Sequence, residues 1–214
     1  MSTGSPVNLF GGAVVGYGGP RVQADGQPGT LRITKDGTEC TQDAHGRYQE
    51  AVYRGNVFLA ASQAAVTFSA GLTTTTCVGL LLENPPGNTK NAVILQASFA
   101  NTGTIVGTAG LVAFPFSTTA FTHTTALTIL NAFTGTGKQA ATCTADQGSS
   151  STPTTPVVVT PLYTILSTNT AVSGTPCFVD LGGSLIVGPG TAVGILASAA
   201  ITGFASMLWE EVPI

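Results

Sequence analysis

Short runs in which apolar and polar residues alternate recur along the chain from residue 55 to the C-terminus. Examples are "NAVILQASFA", "SLIVG" and "TAVGILASAA", and turn-forming stretches such as "ENPPGNTKN" and "GSSSTPTTP" separate such runs. A period of two places successive side chains on opposite faces of a β-strand, whereas Gly, Pro, Asn and Ser favour turns. The pattern therefore predicts an all-β protein with many short strands, as in a β-sandwich or a barrel, and no convincing helix.

The C-terminal stretch 190–214 is open to two interpretations, because no charged residue lies between Asp180 and Glu210. An uncharged stretch of this length could cross a bilayer as a helix. Two features favour strands instead: residues 188–191 ("GPGT") have the composition of a turn, and the apolar residues that follow alternate with small ones. We therefore predict closing β-strands here rather than a membrane span.

Two adjacent acidic residues, Glu210 and Glu211, follow the last apolar run of the chain. A pair of carboxylates could bind a metal ion, but consecutive residues of a strand point to opposite faces of the sheet. We predict instead that this pair marks the edge of the sheet, where the last strand leaves an apolar environment.

Charged residues make up only 8% of the chain, and they are distributed unevenly. Ten of the seventeen charged residues lie between residues 21 and 54. This division predicts two regions: an extended, charge-rich N-terminal arm at 1–54 and a β-sandwich body at 55–214. With seven Lys and Arg residues and a net charge of −3, the chain lacks the basic patch that nucleic-acid binding requires.

The predicted strands place Ala, Gly, Ser and Thr, rather than Lys and Glu, on the face that a sandwich normally turns to water. Small neutral side chains permit close approach by another protein surface, and a monomer with so few charges would tend to associate. We infer that other subunits cover much of the body, which predicts a homo-oligomer. The alternative is a monomer with a polar, Thr-rich surface.

Few residues of the body could carry out catalysis or bind a cofactor. His123 is its one histidine, and its sequence context predicts a structural hydrogen-bonding role, although a Ser–His–Asp set built from His45 or His123 stays an open alternative. The "GTGK" stretch at 135–138 lacks the first Gly and the final Ser or Thr of a phosphate-binding loop. We therefore predict no catalytic residue, no cofactor and no metal ion.

The four cysteines are widely spaced and form neither a CxxC pair nor a Cys–His metal-ligand pattern. The favoured interpretation is that all four are small buried apolar residues. A disulfide between two of them is the alternative. The four positions are Cys40, Cys77, Cys143 and Cys177.

The densest group of polar and aromatic residues lies within residues 43–58, where the arm meets the body. Its Arg and Tyr residues combine charge-assisted donors with aromatic faces, a composition enriched at protein interfaces. One hypothesis is that this segment docks on a partner, and the other is that it is a solvated strand leading into the body. The candidate interface residues are Arg47, Tyr48, Glu50, Tyr53 and Arg54.

Several stretches within residues 40–214 resemble a group of structural proteins of tailed bacteriophages. They include "DAHGRYQEAVYRGNVFLAASQAAVT", "VGLLLENPPGNTKN", "HTTALTILNAF" and "GFASMLWEEVP". In addition, "GGSLIVGPGTAVGI" followed by "TGFASMLW" resembles the last strand pairs of trimeric jelly-roll domains of the tumour-necrosis-factor and complement type, although those domains carry more charge. The second resemblance implies a jelly-roll-like β-sandwich of eight strands that assembles around a threefold axis.

Together the resemblances imply a non-enzymatic virion protein that decorates or cements a capsid as a homo-oligomer, with a trimer expected. Its partners would be the major capsid protein or other virion proteins at the capsid surface, and neither nucleic acid nor a membrane is an expected partner. The alternative is a fibre or receptor-binding module of the tail or vertex with the same fold. A third class, a wall-degrading hydrolase, is disfavoured by the scarcity of acids and histidines.

Overall fold

The chain divides by its internal contacts into two compact units, Met1–Arg47 and Tyr48–Ile214. The second unit begins at Tyr48, a few residues before the predicted start of the body. Most of the predicted arm, including Cys40, lies outside the residues that can be described. The structure, a computed structural model, describes residues 8–9, 13–14, 47–68, 70–103, 106–135, 138–165 and 177–214.

The described residues are almost entirely β-structure, as the alternation of the sequence predicted. One five-residue helix is present as well, which the sequence pattern did not predict. In chain order the elements are β1 (Asn8–Leu9), β2 (Ala13–Val14), α1 (Gln49–Tyr53), β3 (Val57–Ala61), β4 (Val66–Thr67), β5 (Thr76–Val78), β6 (Leu80–Asn84), β7 (Lys90–Asn101), β8 (Gly107–Phe114), β9 (Leu130–Asn131), β10 (Thr144–Asp146), β11 (Ser149–Ser151), β12 (Val157–Ile165), β13 (Cys177–Val187), β14 (Thr191–Ala197) and β15 (Thr202–Pro213).

Strands β1 and β2 pair with each other in the first unit, and the second unit contains two large antiparallel sheets. The first sheet has the order β10-β6-β14-β8-β12. The second has the order β13-β7-β15-β3-β9, and β4 also pairs with β15. Strands β5 and β11 form a separate small pair.

The connections between the strands are those of a jelly roll. The chain passes from one sheet to the other between β3 and β6, and again at β6–β7, β7–β8, β12–β13, β13–β14 and β14–β15. Strands β8 and β12 are neighbours in the first sheet, and the strands that open and close the roll, β3 and β15, are neighbours in the second. Eight strands joined in this way form a jelly-roll β-sandwich, so the predicted fold is confirmed. These eight are β3, β6, β7, β8, β12, β13, β14 and β15.

The main core fills the space between the two sheets, and aliphatic side chains pack there around four large aromatic ones. The ring centroids of Phe58 and Trp209 lie 6.0 Å apart, and Phe68 and Phe99 meet edge to face at 5.3 Å. All four side chains are buried. Burial of one such side chain contributes about 2 kcal/mol.

Two positions near the C-terminus require glycine for structural reasons. Gly190 adopts a φ of +78°, which side chains other than glycine rarely tolerate, in the turn that precedes β14. Thr191 N donates a hydrogen bond of 3.1 Å to Gly188 O in the same turn, so the predicted turn at 188–191 is confirmed. Gly203, in β15, lies so close to the carbonyl of Ala100 that a Cβ atom there would collide with it.

A second apolar cluster, the second core, lies on the outer face of the first sheet and is covered by the chain itself. Strand β14 is consequently buried on both faces: Val193 and Ile195 belong to the main core, while Ala192 and Leu196 belong to the second core. The chain itself therefore supplies the cover of this uncharged strand, so its lack of charge needs no cover by other subunits. The second core consists of Cys77, Leu81, Val112, Phe114, Phe121, Ala192 and Leu196.

The C-terminal stretch forms the closing strands β14 and β15, as predicted. Among the residues described, no helix has both the length and the apolar character needed to cross a membrane.

Candidate functional site

The predicted docking residues lie on and beside helix α1 rather than on a strand. Arg47 and Tyr48 form the turn before the helix, and Arg54 follows it. Glu50 and Tyr53 lie within the helix. Arg47, Tyr53 and Arg54 are exposed, and Tyr48 is half-buried. The structure therefore brings the five residues onto one short segment, with a conformation that the sequence did not predict.

Two side chains of this segment contact the body. Tyr48 Oη donates a hydrogen bond of 2.9 Å to Asp180 Oδ1 on β13, and the same carboxylate oxygen accepts a hydrogen bond of 2.9 Å from Gly182 N. The rings of Tyr53 and Phe133 lie 6.4 Å apart. Tyr48 therefore anchors α1 to the second sheet, whereas Tyr53 remains 62% exposed.

The outer face of the second sheet is open, in contrast to that of the first. Its outward side chains form rows across the strands: Ser206 lies between Ala61 and Ser98, and Ser98 lies beside Phe178. Apolar residues follow along the neighbouring rows. The residues that we call the open face are Leu59, Ala61, Gln96, Ser98, Phe178, Ile186, Phe204, Ser206, Leu208 and Val212.

The open face exposes large apolar side chains to solvent. Phe178 and Ile186 are each 59% exposed, and Phe204 is 38% exposed. A shallow hollow of about 300 Å³ lies at the centre of the face, lined by its residues. The charged side chains among the described outward positions are the acids Asp180 and Glu210. Asp180 lies between Phe178 and Ile186 along β13. Large apolar side chains exposed on one sheet face are typical of a site that binds another protein.

A group of buried polar residues lies on the outer face of the first sheet. Glu83 of β6 is 2% exposed, and Asp146 of β10 is fully buried. His123 lies between them, with Nε2 2.5 Å from Glu83 Oε2 and Nδ1 3.8 Å from Asp146 Oδ2. The hydroxyl of Thr144 lies 3.3 Å from the same Nε2 atom. We call Glu83, His123 and Asp146 the His123 cluster.

The cluster holds its histidine in a structural hydrogen bond. The hydrogen bond to Glu83 is the largest influence on the pKa of His123; burial opposes it, and the charges of Glu83 and Asp146 add to it, so that the pKa lies above its ordinary value. The predicted hydrogen-bonding role of His123 is thus confirmed. The ring faces two carboxylates and a threonine, so the Ser–His–Asp arrangement left open for His123 is not formed. Within the described ranges, no three His, Cys, Asp or Glu side chains are grouped so as to hold a metal ion.

Glu211 lies in the interior, and the prediction that the acidic pair marks the sheet edge is wrong for this residue. Glu210 and Glu211 do point to opposite faces, as predicted, and Glu211 is fully buried. Its carboxylate accepts hydrogen bonds of 2.9 and 3.0 Å from the backbone amides of Thr142 and Cys143. It also accepts one of 2.7 Å from the Thr142 hydroxyl, and Lys90 Nζ lies 3.5 Å away.

These donors determine the charge state of Glu211. Burial by itself raises the pKa of a carboxyl group, but the hydrogen bonds from Cys143 and Thr142 outweigh it and lower the pKa of Glu211 below its ordinary value. Sequence reasoning missed this role because Thr142 is 69 residues away along the chain. Glu211 ties the connection between β8 and β12 to the last strand.

Three of the four cysteines are described, and all three are free thiols. Cys77 and Cys143 are buried, as predicted, whereas Cys177 is only half-buried. Burial raises the pKa of Cys77 to about 12. Burial, with the nearby charge of Glu211, also raises the pKa of Cys143 above its usual range. Cys77 and Cys143 therefore stay protonated and act as small apolar residues.

Comparisons with protein-family models, with curated proteins and with solved structures give no match for this chain. The fold and the surface define a class of protein nonetheless. It is a jelly-roll β-sandwich in which the chain covers β6, β8 and β14 on the outer face of one sheet and leaves the outer face of the other sheet open.

Proposed function

We propose that this chain is a non-enzymatic virion structural protein that decorates or cements a capsid. Its bodies associate with one another through the open face, as a trimer, and its N-terminal arm docks on the capsid. The observation that carries the proposal is the contrast between the two outer sheet faces. The chain covers one face with its second core and leaves Phe178, Ile186 and Phe204 exposed on the other.

A second copy of the body suits the open face for physical reasons. Removal of apolar surface from water contributes roughly 25 cal/mol per Å², and homodimer interfaces are more apolar than ordinary protein surface. The small side chains of Ala61, Ser98 and Ser206 leave room at the centre for a neighbouring side chain. The Asp180 carboxylate already accepts hydrogen bonds from Tyr48 and Gly182, which stabilise it without removing its charge, so it loses fewer hydrogen bonds to water on association than a fully solvated carboxylate would.

The acids of the body support a structural role rather than a catalytic one. Three of its five acidic residues, Glu83, Asp146 and Glu211, are buried and accept several hydrogen bonds from the chain. A general acid or base needs a group that can reach a substrate. The threefold arrangement and the virion location follow from the two resemblances of the sequence to known families.

Light scattering over a concentration series of the full chain tests the association. We expect a molar mass that is a multiple of 21.5 kDa, with three chains in the assembly. Phe178→Glu places a charge beside the central hollow of the open face, where association would remove it from water. This variant should weaken association at least about tenfold, which corresponds to about 1.4 kcal/mol.

The matched control is Phe116→Glu, because Phe116 is 64% exposed but lies outside the open face. It should associate as the wild type does. A mass of one chain at every wild-type concentration would refute self-association. Equal effects of the two substitutions would show that the open face is not the surface involved.

A further inference from the structure

Residues 121–125, which we call the covering segment, cross the outer face of the first sheet and are held there by two buried carboxylates. Phe121 N donates a hydrogen bond of 3.1 Å to Glu83 Oε1, and Thr125 N donates one of 2.8 Å to Asp146 Oδ2. Phe121 belongs to the second core. Glu83 and Asp146 therefore supply part of the attachment of the segment, and backbone hydrogen bonds supply the rest: Thr122 and Ser151 exchange two, of 3.1 and 3.3 Å, and Gln147 N donates one of 3.1 Å to Thr125 O. The second core depends on the segment for part of its cover.

The positive charge that faces both carboxylates comes from the covering segment itself. His123 faces Glu83 from β6 through Nε2 and Asp146 from β10 through Nδ1, and Thr144 contributes a neutral hydroxyl. When the ring is protonated, one positive charge lies between two negative ones. When it is neutral, two buried carboxylates remain without a cation between them, which is unfavourable in a site largely removed from water.

The contacts of the ring favour its protonated form. His123 Nδ1 is buried and has no hydrogen-bond partner, and Asp146 Oδ2 lies 3.8 Å from it. A neutral imidazole has a single N–H, so one ring nitrogen would direct its lone pair toward a carboxylate. An imidazolium directs an N–H toward each of them. The pKa of His123 lies above its ordinary value, with the hydrogen bond to Glu83 as the largest cause.

We propose that His123 is a pH-sensitive latch, whose imidazolium holds the covering segment on the sheet and whose deprotonation releases that segment while the jelly roll stays folded. Release uncovers apolar side chains of the second core, among them Phe114, whose ring meets that of Phe121 edge to face at 5.6 Å. The main core lies on the other face of the first sheet and contains none of the three ionisable groups. The latch is independent of the self-association proposed above.

The direction of the pH effect follows from the raised pKa. His123 stabilises the closed covering segment fully below the pKa that its ring has in the released state, about 6.5. This stabilisation is lost as the pH rises through the pKa of His123 in the closed state, which is higher. Between these two values the ratio of released to closed segment increases about tenfold for each pH unit.

Amide hydrogen exchange of the full chain, measured by NMR, tests the latch. The protection of the Phe121 and Thr125 amides, corrected for intrinsic exchange, should fall about tenfold per pH unit in this range and then level off. The midpoint of the ring titration of His123 should coincide with the levelling point. The amide of Ala132, which donates to Val57 O at 2.9 Å, is the internal reference and should keep its protection.

His123→Gln keeps a polar side chain but cannot carry the charge. Its Phe121 and Thr125 amides should exchange at least about tenfold faster than those of the wild type at acidic pH, without a pH-dependent step. His45→Gln makes the same change at the other histidine of the chain and should behave like the wild type.

Three results would overturn the latch: pH-independent protection in the wild type, the same pH-dependent step in His123→Gln, or simultaneous loss of protection at Ala132. If His123→Gln does not fold, the wild-type experiment decides alone. The latch then stands if the midpoint of the His123 ring titration coincides with the pH at which amide protection levels off, and it fails if the two differ.

Discussion

At the scale of single residues, three of the seven charges of the body lie inside it. Glu83, Asp146 and Glu211 are at most 2% exposed, and each accepts two or more hydrogen bonds. An ionised carboxylate is costly to bury unless donors surround it. Each of these residues therefore holds in place the segment that supplies its donors, and the surface carries even less charge than the composition indicates.

Glu211 provides the clearest test of this use of charge. Glu211→Gln keeps the shape of the side chain but removes the charge around which Thr142, Cys143 and Lys90 are arranged. We expect it to lower the free energy of unfolding by about 2 kcal/mol, measured by urea denaturation at neutral pH. The matched control, Glu210→Gln on the opposite face of the strand, should change it by less than about 0.5 kcal/mol. Equal losses would contradict the role of Glu211.

The same variant should alter the response to acid. Because the pKa of Glu211 is lowered in the folded state, its contribution is present above the ordinary pKa of about 4.3 and is lost as the pH falls through the folded value. The difference in thermal midpoint between the wild type and Glu211→Gln should therefore shrink from about pH 7 to about pH 3. A difference that stays constant with pH would show that shape rather than charge is responsible.

At the scale of elements, apolar residues cover both faces of β14, as they do for its neighbour β8. Ile195 packs in the main core and Leu196 in the second core. We expect Leu196→Ala to lower the free energy of unfolding by about 3 kcal/mol, as a core substitution does. Leu130→Ala is the matched control, because Leu130 on β9 is 53% exposed, and it should cost less than about 1 kcal/mol. If denaturant titrations gave similar losses of unfolding free energy for the two variants, the second core would not be tightly packed.

The strands could be predicted because alternation of side chains is a property of neighbouring residues. Helix α1 could not, because its five residues are shorter than the window in which a helical period becomes visible. Composition alone located the predicted docking segment, since Arg and Tyr are concentrated there. Its conformation depends on Tyr48 and Asp180, which are 132 residues apart.

At the scale of the whole molecule, the compact body begins at Tyr48. A chain of residues 48–214 should therefore unfold cooperatively, with a thermal midpoint close to that of the full chain. A chain of residues 55–214 lacks α1 and the hydrogen bond between Tyr48 and Asp180, which contributes about 1 kcal/mol. Its midpoint should be about 3 °C lower, and scanning calorimetry would detect the difference. Equal midpoints would mean that α1 contributes nothing to the body.

Removal of residues 1–47 alone also separates the two parts of the proposed function, which are self-association and docking on the capsid. The 48–214 chain keeps the open face, so it should associate as the full chain does. It lacks residues 1–47, so it should no longer bind capsids of the phage to which the protein belongs. Undiminished capsid binding, measured by co-sedimentation, would refute the docking role of the arm.

The sequence by itself determined the all-β class, the closing strands and the turn at 188–191, because alternation and turn chemistry act between residues close in the chain. Only the tertiary structure decided what covers each sheet face. It placed the second core over β14, left Phe178 and Ile186 exposed, and brought His123 to Glu83 across 40 residues. The physical reason is that an alternating strand specifies which side chains share a face, but the partner of that face depends on contacts between distant segments, which no local pattern contains.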